Sequence, residues 1–310
     1  MSSIKEEVLL RDDLMGLLDG SSVVGYAYIN SYNVQPTKNG GTFLGGTMSC
    51  IGAVPFKVWS GALYDSMNED SVAGKICRIN GKVSEFNNAK SIIFETCVPY
   101  EGTELEIDDF LEHKYNSEDI FYKLHKILEN NCTKEAVDIF DTVIKPIKDR
   151  FCKEFAASFH HDACAGGLLA HTFKTVRLVQ VMKFYEAISG VIDKDLLFVA
   201  AALHDIGKVL EYNTGVVSSI GMQMSHLTLG VEMLKPHEEY IVSKKGREFY
   251  NGLLSVIQQH HGEYGERPRT LVAYLIHLID GLEAQLTDIN DAVESALTRQ
   301  IKIEDYKLSF

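Results

Sequence analysis

The chain has 310 residues, of which 45% are apolar and 24% charged, and its net charge is −13. This composition is typical of globular proteins and excludes collagen-like, low-complexity and fully disordered chains. The acidic balance argues against a protein that coats duplex DNA by bulk electrostatic attraction, although a local positive groove or a metal-filled acidic site stays compatible with it.

The expected environment follows from the apolar runs and the cysteines. The run from Leu196 to Leu203 is eight residues long, far below the ~20 residues that a membrane-spanning helix needs. The first residues lack the basic start and apolar stretch of a signal peptide. We therefore expect a cytoplasmic protein without membrane contacts. No CxxC pair occurs among the six cysteines, so we expect them to be buried apolar residues, neither disulfides nor zinc ligands.

The N-terminal region has the residue pattern of β-strands. Alternating or β-branched runs are separated by glycines, and residues 38–41 (KNGG) are a turn signal. A helix-like segment, 61–68, falls between the third and fourth runs. This order predicts an OB-like β-barrel, although other small barrels share these signals. The predicted strands cover residues 22–31, 42–51, 54–59, 74–83 and 90–98.

Two side chains of the third predicted strand are candidates for binding single-stranded nucleic acid. Lys57 and Trp59 share strand parity, while Phe56 points to the opposite face. An aromatic ring offers a stacking surface for a base, and a lysine pairs with phosphate. The alternative is that the aromatic residues of these strands belong to the barrel core.

An acidic run separates this region from the rest of the chain. Residues 101–119 hold eight acidic side chains and one lysine, so we expect a linker or a solvated helix start. The predicted domains are therefore an OB-like domain over residues 1–100, an acidic linker over 101–119 and a helical domain over 120–310.

The C-terminal region has the 3.6-residue period of helices, which makes the fold class α+β: a β-barrel followed by an all-α bundle. Pro146 predicts a kink or an end in one helix. The apolar stripes of the helices at 120–150 either pack on the domain core or form a contact between subunits. Further helices are predicted over residues 167–188, 195–205, 226–235, 246–261 and 269–286.

The strongest functional signal is the placement of histidine and aspartate inside apolar segments. His204 and Asp205 end the run from Leu196, and Asp280 interrupts the apolar stretch 271–280. A buried imidazole or carboxylate needs a partner because its desolvation is costly. A single such residue is most often a satisfied core residue, but five separate segments together favour a shared metal site. The other histidines in comparable settings are His171, His226, His260 and His261.

The types of ligand indicate which metal such a site would hold. Imidazole and carboxylate without thiolate suit Mn²⁺, Fe²⁺, Co²⁺ or Zn²⁺, and they argue against structural zinc. Two carboxylates and up to five imidazoles exceed the needs of one octahedral ion. We therefore expect two divalent ions, with Mn²⁺ as the first choice and Asp205 as the bridging ligand. Two metals ~3.5–4 Å apart form a clamp for in-line attack on a phosphoester.

The order His171, His204-Asp205 and Asp280 matches the H…HD…D signature of the HD superfamily of metal-dependent phosphohydrolases, and the added histidines resemble its binuclear branch. At a finer level, four segments resemble the YhaM family. They are HHDACAGGLLAHT (160–172), AALHDIGKVLEY (201–212), SHLTLGVEML (225–234) and QQHHGEYGERPRTLVAYLIHLIDGLEAQL (258–286). Members of that family are bacterial 3′→5′ exoribonucleases with an OB domain followed by an HD domain. The resemblance covers nearly the whole chain. It implies the metal set His171, His204, Asp205, His226, His260, His261 and Asp280.

Further residues are candidates for catalysis and substrate contact. Lys208 lies one helical turn past Asp205 and can reach a phosphoryl oxygen to stabilise developing charge, unless it is only a helix-capping surface lysine. Two arginines in a polar loop could hold phosphate bidentately, or could belong to an ordinary solvated loop. The predicted substrate contacts outside the barrel are Arg267, Arg269, His160 and His161.

Three functions agree with these features. The first is a 3′→5′ exonuclease that acts on single-stranded RNA or DNA. The second is an HD phosphohydrolase that acts on a small nucleotide, with the barrel serving assembly or regulation. The third is a non-catalytic single-strand-binding factor with a structural metal site. The intact ligand set disfavours the third, and the barrel favours the first over the second. We also expect a homo-oligomer, because several barrels held near one strand raise the effective concentration of binding sites.

Overall fold

The computed structural model describes residues 4–86, 89–157, 164–182 and 190–299. The chain divides into two units, Met1–His113 and Lys114–Phe310, and this division falls inside the segment predicted as a linker. Leu105, Phe110 and Leu111 of that segment are buried. The backbone N–H of Ile51 donates to the carbonyl oxygen of Phe110 at 2.8 Å. The acidic run therefore contains an apolar anchor that belongs to the first unit.

The first unit is a closed five-stranded barrel. Its strands close in the order β1-β2-β3-β5-β4, with β3 and β5 parallel and the other neighbours antiparallel. The helix α2 lies between β3 and β4, as the sequence predicts, and the prediction of an OB-like barrel is confirmed. The elements are α1 (Arg11–Gly16), β1 (Ser22–Pro36), β2 (Thr42–Ser49), β3 (Ala53–Trp59), α2 (Ala62–Glu69), β4 (Lys75–Phe86) and β5 (Ala89–Pro99).

Strand β3 shows how side-chain alternation fills the barrel. Phe56 is buried, and its ring stacks on that of Phe94 with the centroids 4.3 Å apart. Lys57 is half-buried and Trp59 is 47% exposed, so both lie on the outer face. Trp59 contacts Phe43 of β2 there, with the ring centroids 5.2 Å apart. The barrel therefore keeps an aromatic pair and a lysine on its surface.

In its described residues, the second unit is a helical bundle with one small hairpin, β6 (Tyr212–Asn213) and β7 (Val216–Val217). A short 3₁₀ helix, Lys145–Ile147, joins α4 to α5 and contains Pro146, where the sequence predicts a break. The predicted helix 167–188 is described as far as Met182. The helices are α3 (Ser117–Asn131), α4 (Lys134–Ile144), α5 (Lys148–Lys153), α6 (Gly167–Met182), α7 (Lys194–Leu203), α8 (Lys208–Glu211), α9 (His226–Leu234), α10 (Glu238–Lys245), α11 (Arg247–Gln259) and α12 (Leu271–Arg299).

Helix α7 is the centre of this bundle. Its residues from Leu197 to Leu203 are all buried, and it packs against α3, α4, α6, α11 and α12. A helix that is apolar on every side is stable only when neighbours cover it completely. Because α7 is covered in this way, His204 and Asp205, which directly follow it, lie in the interior of the unit.

The apolar stripes of α3 and α4 pack into the same core. Leu124, Leu128, Phe140 and Ile144 are buried, so these stripes are core packing and do not form a free surface. An exposed apolar stripe lies on α12, where its members are 47–50% exposed. They are Leu271, Tyr274, Leu278, Leu282 and Leu286.

Two further expectations concern cysteines and membranes. All six cysteines are free thiols, and Cys50, Cys77, Cys97 and Cys164 are buried, which agrees with their predicted apolar role. Within the described part of the chain, none of the helices combines the length and the apolar character needed to cross a bilayer.

The buried ring of Phe56 should be a main source of barrel stability. Replacing Phe56 with alanine removes a buried ring and its stacking on Phe94, so the free energy of unfolding should fall by about 3–5 kcal/mol. Trp59 is the single tryptophan of the chain, so its fluorescence during urea denaturation reports the barrel alone. Phe43→Ala is the matched control, because it removes a partly exposed ring and should cost much less. Equal midpoints for the two variants would contradict the assignment of Phe56 to the core.

Candidate metal centre

The end of α7 sets the position of the site. His204 and Asp205 follow Leu203 directly, and both are buried. The Nδ1 atom of His204 donates to the carbonyl oxygen of Ala201 at 2.8 Å, so the Nε2 atom points to the interior. A ring fixed in this way presents one defined nitrogen to a ligand or a proton.

A first group of side chains meets His204 from α6 and α12. The Nε2 atom of His171 lies 3.2 Å from the Nε2 atom of His204 and 3.0 Å from the Oδ1 atom of Asp280. The Oδ1 atom of Asp280 is also 3.6 Å from the Nε2 atom of His204. These atoms converge closely enough to hold one metal ion between them.

A second group is built around the other side of Asp205. The Oδ1 atom of Asp205 lies 3.4 Å from the Nε2 atom of His260 and 3.6 Å from the Nε2 atom of His226. The Nε2 atoms of His226 and His261 are 3.0 Å apart. Asp205 follows α7, His226 begins α9, and His260 and His261 follow α11. Together these four residues can also hold a metal ion.

Asp205 lies between the two groups. Its Oδ1 atom faces the second group, while its Oδ2 atom is 3.5 Å from the Nε2 atom of His171 and 3.4 Å from that of His204. The Oδ2 atom also accepts a 2.6 Å hydrogen bond from the Nζ atom of Lys208. One buried carboxylate therefore turns one oxygen towards each group. All seven residues of the predicted metal set lie in this cluster.

Two buried atoms of the cluster favour a cation. The Oδ1 atom of Asp205 and the Nε2 atom of His260 have no hydrogen-bond partner among the described residues. Buried polar atoms without partners are costly, and both atoms carry lone pairs that a metal ion can accept. The donor set of imidazoles and carboxylates suits Mn²⁺, Fe²⁺, Co²⁺ or Zn²⁺. The residues therefore fit a divalent metal.

The two groups differ in their protonation. Burial alone would lower the pKa values of His171 and His204, but the nearby carboxylates outweigh it and raise them to about 9 and about 10. Burial lowers the pKa of His260, and burial together with the neighbouring His260 lowers the pKa of His261 to about 4. At neutral pH the first group therefore holds protons on its imidazoles, whereas His260 and His261 offer neutral nitrogens.

The carboxylates keep their charge in the interior. Burial alone would raise the pKa of Asp205, but Lys208 and His204 hold it well below its usual range. Asp280 behaves in the same way, because its hydrogen bonds with His171 and His204 outweigh the effect of burial and keep its pKa well below the ordinary value. Both aspartates are therefore charged and able to bind a cation at neutral pH.

Two supporting carboxylates were missed by sequence reasoning. Glu283 accepts a hydrogen bond from the Nδ1 atom of His171, and Glu211 lies 2.8 Å from the Nδ1 atom of His226. Such partners fix the orientation of a ligating imidazole and increase its basicity. The available signal was helical spacing, because Glu283 follows Asp280 by three residues in α12 and is placed one turn along the same face.

A glycine allows α9 to approach the end of α7. A Cβ atom on Gly207 would lie 1.9 Å from the carbonyl oxygen of His226 and 2.6 Å from the backbone nitrogen of Gly230. No larger residue fits there without moving α9. Gly207 therefore lets His226 come within reach of Asp205.

Among the described residues of the helical unit that were predicted to contact substrate, the two arginines lie outside this cluster. Arg267 and Arg269 are exposed in the loop between α11 and α12, and the guanidinium of Arg269 lies 3.7 Å from the carboxylate of Glu266. His160 and His161 lie outside the described residues. Lys57 and Trp59 belong to the barrel. Lys208 is buried and contacts Asp205, so its alternative interpretation as a surface lysine is wrong.

Comparison with known proteins agrees with the resemblance deduced from the motifs. Residues 168–285 match the HD domain family. The chain is 27% identical over 291 residues to a 3′-5′ exoribonuclease YhaM of Oceanobacillus iheyensis, covering 89% of this chain and 88% of that protein. A 3′-5′ exoribonuclease YhaM of Geobacillus is 26% identical over 289 residues, covering 89% and 86% of the two chains. The predicted resemblance to the YhaM family and the prediction of a hydrolase with an HD domain are confirmed.

A further relative matches about half of the chain. The dihydroneopterin 2′,3′-cyclic phosphate phosphodiesterase of Methanocaldococcus jannaschii is 26% identical over 155 residues. The match covers 48% of this chain and 58% of that protein. The similarity therefore extends to a protein whose name gives a cyclic phosphodiester as its substrate.

Metal binding at the first group should release protons. Below their raised pKa values His171 and His204 are protonated, and a metal must displace those protons, so the apparent metal affinity should rise as the pH increases from 6 towards 9. Calorimetric titration of Mn²⁺ at pH 7.5, in two buffers of different ionisation enthalpy, should show release of about one proton or more per chain. His171→Ala should reduce this number and His261→Ala should not. Identical heats in the two buffers would contradict the assignment.

Proposed function

We propose that this chain, whose helical unit is an HD domain, is a metal-dependent 3′→5′ exoribonuclease of single-stranded RNA that also accepts single-stranded DNA. The observation that carries the proposal is the position of Asp205, whose two carboxylate oxygens face two separate groups of metal-binding side chains. This arrangement supports a centre of two divalent ions, with Mn²⁺ as the first choice. The 3′→5′ direction is taken from the similarity to the YhaM exoribonucleases.

Different residues of the chain would have different roles at this centre. When bound, two divalent ions would supply a nucleophilic water and stabilise charge on the phosphate. One ion would be held by His171, His204 and Asp280. The other would be held by His226, His260 and His261, and Asp205 would be a ligand of both ions. The ammonium of Lys208 contacts the Oδ2 atom of Asp205. We assign Lys208 to charge stabilisation beside the scissile phosphate, because a buried cation is effective in a low-dielectric site.

The barrel would capture the strand. The exposed Trp59 and the half-buried Phe43 form an aromatic pair on the outer face of the barrel, and Lys57 shares the face of Trp59. Aromatic rings stack on any base and a lysine pairs with phosphate, so this face suits single-stranded nucleic acid without sequence preference. Because the whole chain is acidic, such local contacts must replace a general positive charge.

A homo-oligomer would increase the affinity for a nucleic-acid strand. The exposed stripe of α12, from Leu271 to Leu286, is the surface best suited to a second copy, because contiguous exposed apolar side chains mark interaction sites. Several barrels in one assembly would raise the effective concentration of strand-binding sites. We also propose that this assembly is cytoplasmic. Arg267 and Arg269 are proposed as further contacts to phosphate.

A second candidate function is hydrolysis of a small nucleotide phosphodiester. The observation that favours it is the similarity of about half of the chain to the cyclic phosphate phosphodiesterase of Methanocaldococcus jannaschii. The outer face of the barrel favours RNA instead, because a small substrate needs no stacking surface outside the metal centre. Incubation with 5′-labelled single-stranded RNA and with 2′,3′-cyclic nucleotides, in Mn²⁺ or a chelator, distinguishes the two functions. The exoribonuclease should produce a ladder of progressively shorter labelled strands in Mn²⁺ alone.

Activity should depend on Asp205 more than on any other single residue. Asp205→Ala removes the carboxylate that both ion sites share, so the turnover number on labelled RNA should fall by about three orders of magnitude or more. The fold should survive, which circular dichroism can verify. Asp141→Ala, a change at a carboxylate that pairs with His125 on the surface, should leave turnover unchanged. Turnover close to wild type in Asp205→Ala at saturating Mn²⁺ would refute the two-ion proposal.

Strand capture should depend on Trp59. Trp59→Ala removes a stacking surface worth about 1–3 kcal/mol for each stacked base, so binding to a long single strand should weaken while cleavage of a dinucleotide should stay the same. Phe86→Ala is the matched control, because Phe86 is an aromatic residue of the barrel that is 64% exposed. Gel-shift titrations and dinucleotide assays measure the two effects. An equal loss on both substrates would argue against a role for Trp59 in capture.

A further inference from the structure

Helix α12 presents three polar side chains along one face. His277, Asp280 and Glu283 follow one another at intervals of three residues, so they lie one turn apart on the same side of the helix. Asp280 belongs to the first metal-binding group, and Glu283 accepts a hydrogen bond from the Nδ1 atom of His171 in the same group. His277 is the member of this row that contacts the second group.

The contact of His277 is with the backbone at the end of α11. Its Nδ1 atom donates to the carbonyl oxygen of His260 at 2.7 Å. If α11 continued as a helix, the N–H of Tyr264 would bond to that carbonyl, but it donates to the carbonyl oxygen of His261 instead. The carbonyl of His260 is therefore one of the groups that a helix end leaves without an intrahelical partner, and His277 supplies the donor.

This hydrogen bond lies in the interior of the unit. His260 is fully buried, and a buried carbonyl that loses its donor carries a large desolvation cost. The ring of His277 also packs under Gly262, where a Cβ atom would lie 2.4 Å from the Cε1 atom of the ring. Glycine at this position, with a φ of +57°, lets the chain turn directly over the ring.

The backbone of His260 decides where its metal-binding nitrogen lies. The Nδ1 atom of the ring is 3.2 Å from the carbonyl oxygen of Val256 and 3.1 Å from that of Ile257, so the ring is fixed relative to its own helix. Its Nε2 atom lies 3.4 Å from the Oδ1 atom of Asp205. Because His261 follows directly, a shift of this helix end would move two nitrogens of the second group together.

We propose that His277 is a positioning residue that holds the second metal-binding group at a defined distance from the first. It acts through the backbone of His260, while Asp280 on the same face of α12 belongs to the first group. Neither group of converging side chains includes His277 itself. The inference rests on the proposed centre of two ions and adds to it a residue that is not a metal ligand.

The test is a titration of the chelator-treated full chain with Mn²⁺, in which electron paramagnetic resonance measures the free ion. His277→Ala should raise one dissociation constant at least about tenfold, as the loss of a residue that orients a metal ligand does. His261→Ala removes a ligand of the second group and identifies the constant concerned. His125→Ala is the matched control, because His125 is a half-buried histidine that pairs with Asp141 outside the cluster. It should leave the metal affinities unchanged.

Two variants of similar shape separate the hydrogen bond from the packing of the ring. His277→Asn keeps an N–H donor near the position of Nδ1, whereas His277→Leu has the same branched shape without a donor. The asparagine variant should recover most of the metal affinity, and the leucine variant should not. Equal losses in both would show that the ring acts only by packing on Gly262, and would overturn the inference. Wild-type affinities in His277→Ala would also overturn it.

The titration contains no RNA, so its result does not depend on nuclease activity. Two bound ions without RNA cleavage would refute the proposed function and leave the role of His277 intact. RNA cleavage with equal metal affinities in the asparagine and leucine variants would do the reverse. A single bound ion in wild type would refute the two-ion centre, and the same two variants would then test His277 on the ion that His261→Ala weakens.

Discussion

The carboxylate of Asp205 is the constraint on which the helical unit depends. A carboxylate that is 2% exposed carries a large desolvation cost unless cations or hydrogen bonds compensate for it. In this chain the compensation comes from Lys208 and the His204 imidazole on the Oδ2 oxygen, whereas the Oδ1 oxygen has no hydrogen-bond partner among the described residues and faces imidazoles that could share a cation with it. The arrangement holds the ends of α7, α9 and α11 together, because each of them supplies a side chain to the same pair of oxygen atoms.

The protonation of the imidazoles links this charge balance to metal binding. His171 and His204 have pKa values raised to about 9 and about 10, so they neutralise the surrounding carboxylates with protons. A divalent cation can take over that role, because it brings the same positive charge and releases the protons. The cluster can therefore exchange protons for metal without leaving its carboxylates uncompensated. Glu283 extends the balance to Lys174, whose Nζ atom lies 3.5 Å from its carboxylate.

The sequence predicted most of this architecture, because burial leaves clear patterns in it. The alternation around Phe56 and Trp59 gave the inner and outer faces of β3, and the apolar run before His204 placed that residue in the interior. Residues without such a pattern were missed. Glu211 and Glu283 look like ordinary helical carboxylates until the fold brings them to a ring nitrogen. Phe110 is hidden in an acidic run, and the packing of α11 against α12 brings the two helices together in a way that no local pattern encodes.

The shared position of Asp205 can be tested most directly by the magnetic coupling of bound Mn²⁺. The chelator-treated chain is titrated with Mn²⁺ and its electron paramagnetic resonance spectrum is recorded. A bridging carboxylate predicts that the second equivalent produces the spin-coupled signal of a Mn²⁺ pair in wild type, and that Asp205→Ala gives only isolated ions. Uncoupled ions in wild type, or the same coupled signal in the variant, would contradict the account.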